Sequence, residues 1–113
     1  MNRTVRLELQ NARAHAAVAG QVAFALVVKC GAGPLEADRL RCAIRDAAAA
    51  ADGQLRLDAI LAGRSLTLTL RSDEPGWADA ALRVLETHGG RLAGGGVELT
   101  VSPARLRSVP SDV

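Results

Sequence analysis

At 113 residues the chain has the length of one domain, and its 49% apolar side chains suffice for a core of its own. Fourteen basic residues against twelve acidic ones leave a charge of +2, with the arginines dispersed from Arg3 to Arg107; without a polybasic run, and with only Phe24 and Trp77 as aromatics, the composition argues against a nucleic-acid surface. The longest apolar run, Val22 to Val28, falls far short of the roughly twenty residues that cross a bilayer. The first residues lack the apolar middle of a secretory signal, and two cysteines make no disulfide framework, so the expected compartment is the cytoplasm and no membrane is expected.

From the N-terminus, Thr4 to Gln10 alternates Val5, Leu7 and Leu9 with Arg6, Glu8 and Gln10, the period of a half-buried strand. Residues 11–20, rich in alanine, fit a short helix or a loose connection, and the pattern leaves both open. Val22 to Lys29 is apolar on both sides, which predicts a central strand covered on each face. Gly31-Ala32-Gly33-Pro34 breaks it, and a helix is predicted from Leu35 to Ala51, with Ala37, Leu40, Ile44, Ala47 and Ala51 as its apolar stripe.

Leu55 to Leu61 and Leu66 to Leu70 alternate about the turn Ala62-Gly63-Arg64-Ser65, a hairpin with one greasy face and one polar face. Ser72-Asp73-Glu74-Pro75 has the residues of a helix start, and a second helix is predicted to about His88, ended by Gly89-Gly90. Val97, Leu99 and Val101 mark the last strand.

The order predicts an α+β fold: a ferredoxin-like βαββαβ sandwich with an additional N-terminal strand, two helices lying on one face of an antiparallel sheet. The domain is expected over residues 1–101, followed by a flexible tail over 102–113. The far face of the sheet is expected to carry Arg56, Asp58, Ile60, Thr67, Thr69, Glu98 and Thr100, as a solvated surface or a homodimer interface.

No catalytic constellation of recognised spacing occurs, which weighs against an enzyme, and nothing calls for a cofactor. His15, Cys30, Cys42 and His88 lack the paired spacing of a zinc site. Cys42 falls on the predicted polar side of its helix among Arg41, Arg45 and Asp46, where a thiol is reactive, and Cys30 reads as a small buried hydrophobe; a thiol- or metal-dependent protein using Cys30 and Cys42 is the third reading. Gly31-Ala32-Gly33 fails as a phosphate loop because Glu36 stands at the third glycine position. Gly94-Gly95-Gly96 precedes a strand and reads as a turn.

Arg71-Ser72-Asp73-Glu74-Pro75-Gly76-Trp77-Ala78, with Leu82, Leu85 and His88-Gly89-Gly90 after it, resembles the strand-to-helix turn of ACT-type regulatory domains. The resemblance covers about thirty residues, Leu66 to Val97; in that family the turn belongs to the first βαβ unit, here to the second. It implies a ferredoxin-like fold and an amino acid bound at a subunit interface, with Asp73, Pro75, Gly76 and Trp77 as ligand-binding candidates. The expected function is therefore a non-enzymatic, homo-oligomeric regulatory or small-ligand-binding domain, dimerising through its sheet; the alternative is an assembly or scaffold module with a protein partner.

Overall fold

The computed structural model of the chain describes residues 2–102; of the expected tail, all but Ser102 lies outside the described residues. Strand β1 (Asn2–Leu9) leads into two successive helices, α1 (Ala16–Lys29) and α2 (Pro34–Ala49). The hairpin β2 (Leu55–Ala62) and β3 (Ser65–Arg71) follows, then α3 (Trp77–Leu85) with a single 3-10 turn, Glu86–His88, and a second hairpin, β4 (Arg91–Ala93) and β5 (Gly96–Val101). The fold is α+β, as the alternation of the strands and the stripe of α2 predict.

The expected central strand at Val22 to Lys29 is instead the second half of α1. A run apolar on every side has no period to choose by, and here the alanine-rich residues before it extend the segment to fourteen, beyond an ordinary strand. Residues 11–20 thereby resolve as a turn and the start of that helix. The topology changes with it. Two helices now connect β1 to its direct antiparallel neighbour β2, and the strand order β1-β2-β3-β5-β4, with every neighbouring pair antiparallel, is not that of a ferredoxin-like sheet. Three helices, not two, cover the sheet.

Inside, the sheet offers rows of aliphatic side chains in register: Leu7, Leu57, Leu70 and Val97, then Val5, Ala59, Leu68 and Leu99. The members on β2, β3 and β5 are fully buried, at roughly 2 kcal/mol for each leucine. Trp77 is 2% exposed, and its indole Nε1 donates to the Ala47 carbonyl at 2.9 Å, fastening α3 to α2.

Helix α1 meets α2 through its smallest residues. Ala16, Ala19, Gly20 and Ala23 are buried, and a Cβ on Gly20 would sit 2.8 Å from the Arg41 carbonyl oxygen and 3.3 Å from the Cβ of Arg45. Only glycine allows the two backbones to come this close. The mixed face of the sheet points away from the helices, with Arg56, Asp58, Thr67, Thr69 and Glu98 half-buried and Ile60 and Thr100 exposed.

Gly20→Val should therefore cost about 1–3 kcal/mol in denaturant unfolding, the range of an overpacked core. Gly53→Ala, at a position with nothing within 4 Å of its Cβ, should stay within about 0.5 kcal/mol of the parent.

Candidate ligand-binding cleft

The hairpin turn Gly63-Arg64 pairs Ala62 with Ser65, and counting back along the same register brings Arg56 opposite Arg71 on the outer face. Two guanidinium groups directly across adjacent strands repel each other unless a negative charge lies nearby. Asp58 partly supplies one: it sits 3.3 Å from the Arg56 Nε, but its nearer partner is Arg6, whose Nε donates to it at 2.8 Å. The Asp58 hydrogen bond, and then its charge, raise the Arg6 guanidinium above its ordinary pKa. The Arg56 Nε is buried and has no hydrogen-bond partner, because the Asp58 contact is close without being aligned. Among the described residues Arg71 makes no ion pair at all.

The turn between β4 and β5 closes the other side. Gly94 and Gly95 have φ of +55° and +84°, the paired positive values of a tight hairpin between Ala93 and Gly96. The stem of Arg71 lies over Gly96, where any Cβ would overlap it, and its Nη2 reaches within 3.3 Å of the Cβ position of Gly94. Gln54, Arg56, Arg71, Ser72, Asp73, Gly94 and Gly95 together line an open cleft of about 390 Å³.

The four residues singled out by the ACT resemblance separate here. Asp73 is exposed and lines this cleft. Pro75 and Gly76 are exposed and outside its lining, and the indole of Trp77 is in the core on Ala47. The expected helix start also moves: α3 begins at Trp77, after Gly76 in a left-handed conformation, without a side-chain cap. Ser72 and Glu74 serve the neighbouring turn. The Ser72 hydroxyl donates to the Gln54 carbonyl at 2.7 Å, and the Glu74 carboxylate accepts from the Asp52 N–H at 3.0 Å. These bonds hold the backbone on both sides of Asp73, which lines the cleft.

What the cleft presents is donors for a carboxylate or another anion, from Arg71 and Arg56, beside an acceptor for a cation, from Asp73. Neither Arg56 nor Arg71 emerges as a candidate from sequence patterning, although the hairpin turn already fixes them opposite each other. The approach of Gly94 and Gly95 depends on β5 inserting between β3 and β4, which no local pattern encodes. A larger hollow of about 490 Å³ between Leu40 and Thr100 has less to offer a charged ligand, since its Arg91 and Glu98 already pair at 3.0 Å.

The two cysteines are both unpaired. Cys30 ends α1, not a strand, and is buried. Cys42 on α2 is half-buried rather than exposed, and accepts from the Arg41 guanidinium at 3.6 Å. Among the described residues no three His, Cys, Asp or Glu side chains cluster as a metal site, and no helix is long and apolar enough to cross a membrane. The chain matches no family model and no curated protein.

Burial raises the Cys30 thiol above its ordinary value of 9.0, an effect larger than the opposing hydrogen bond from the backbone of Ala32. The native state thus holds the proton more tightly than the unfolded chain. Stability from this group should be complete below 9.0 and fall as the pH rises through the raised native value, seen as a denaturant midpoint that declines in the parent more than in Cys30→Ala. A thiol reagent at neutral pH should label Cys42 before Cys30, and Cys30 only on unfolding.

Proposed function

We propose that the chain is a non-enzymatic domain that binds a small zwitterionic ligand, of the amino-acid class, in the cleft between the β2–β3 hairpin and the β4–β5 turn. The observation that carries this reading is that Arg56, whose Nε is buried without a hydrogen-bond partner, and Arg71, exposed and in no ion pair among the described residues, line the same cleft as Asp73. A ligand carboxylate would relieve the cross-strand repulsion and accept from the fork of Arg71, the geometry that favours bidentate recognition. The ammonium group would face Asp73. This agrees in ligand class with the ACT resemblance, while drawing only Asp73 from its four residues.

A second reading, an assembly module with a protein partner, draws support from α1, where Val18 and Val28 are exposed and Val22, Phe24 and Leu26 only half-buried. The unpaired thiols of Cys30 and Cys42 suit a reducing compartment such as the cytoplasm under either reading.

Thermal unfolding against a panel of amino acids, nucleotides and divalent metals tests the ligand. A compound at a hundred times its dissociation constant stabilises the native state by about 2.7 kcal/mol, a rise of several degrees for a domain of this size. The expected result is a rise confined to amino acids, abolished by Arg71→Gln and weakened by Asp73→Asn. A flat panel, or a rise indifferent to both substitutions, would sink this reading.

A further inference from the structure

The sheet ends in two unlike edges. β4 exposes three residues before the glycine turn, while β1 leaves eight, in unbroken register with β2 and without proline. An open row of N–H and C=O groups of that length is a template for another strand. Beside it lies α1, which buries Ala16, Ala19, Gly20, Ala23 and Val27 and leaves several larger apolar residues partly or largely exposed. Val18 and Val28 of α1 are 44% and 45% exposed, and Val22, Phe24 and Leu26 are half-buried. Leu26 and Lys29 share a crevice of about 80 Å³ with Arg3 and Val5, so the flank of α1 carrying Val18, Val22 and Leu26 continues onto the edge strand.

We propose that this combined surface binds a second copy of the chain, with β1 pairing antiparallel to the partner's β1 about a two-fold axis at Leu7 and the α1 helices meeting above it. The charges of β1 point to a self-partner and choose the register. Centred on Leu7, the pairing sets Arg6 against the partner's Glu8 and Glu8 against the partner's Arg6, with Val5 opposite the partner's Leu9 on the inner side. Centred on Arg6 it would set arginine against arginine. A strand whose acid and base are related by its own midpoint is complementary to itself, and the apolar flank of α1 is covered by the same symmetry operation. The homodimer thus forms through the sheet edge and not through its mixed face, and it does not depend on the ligand proposed above.

Sedimentation of the full chain from micromolar to millimolar concentration should show a dimer. Arg6→Glu and Glu8→Arg each place like charges across the axis twice and should each raise the dissociation constant about tenfold or more. An equimolar mixture of these two variants should associate as tightly as the parent, because each base again meets an acid. Val22→Glu should also dissociate the dimer, with circular dichroism verifying that every variant remains folded. A parent monomeric at millimolar concentration overturns the proposal. So does a dimer indifferent to the β1 charges, or a mixture no tighter than its separate components.

Discussion

The architecture depends on a core made almost wholly of short aliphatic side chains. Among the described residues no polar or charged side chain is fully buried, and the helices contribute mainly alanine to the interior while the strands contribute leucine and valine. Small side chains fill space only if the elements that carry them come close, since dispersion falls steeply with any gap. Hence the contact of Gly20 with the backbone of α2, and hence the position of Trp77, the one large side chain, where α3 rises over the end of α2. Its hydrogen bond to Ala47 answers the only polar atom that the indole brings inside.

The same economy explains the surface of α1. A helix that reaches its neighbour through alanine and glycine must place most of its bulkier residues elsewhere: Val27 is buried, Val22, Phe24 and Leu26 pack against the core from its margin, and Val18 and Val28 are exposed. A helix that is apolar all round is ordinarily buried all round. Here one side is buried by the domain itself, and the remainder adjoins the longest free strand of the sheet.

Much of this was legible in the sequence, and the failures have physical causes. The alternation of Leu55 to Leu61, Leu66 to Leu70 and Val97 to Val101 gave both the strands and the face that each turns inward, because an error of one residue would have inverted every side chain. Helix α2 was legible for the equivalent reason at a period of 3.6. Val22 to Lys29 was not, since neither period survives when all positions are apolar, and that one segment decided the topology. Strand β4, three residues with little pattern of its own, is made a strand by β5 beside it. The turn makes Asp73 a candidate in the sequence, whereas Arg56 and Arg71 become candidates only when the hairpin register is followed outward as well as inward.

That register also joins the cleft to the sheet edge. On the outer face Glu8 of β1 stands opposite Arg56, and Arg6 stands opposite Asp58, so the acid and base of the edge strand are direct neighbours of Arg56, which lines the cleft, and of Asp58, which contacts it. Asp58 divides itself between Arg6 at 2.8 Å and Arg56 at 3.3 Å, and Glu8 is the cross-strand neighbour of Arg56 on the other side. An anion near Arg56 would leave Asp58 more fully to Arg6 and Glu8 less engaged by Arg56, so the base and the acid of β1 would shift in opposite senses. Removing positive charge from Arg56 would do the same. The face around Arg56 and the edge carrying Arg6 and Glu8 therefore share one network of charges, screened by salt because Arg6 is exposed to solvent.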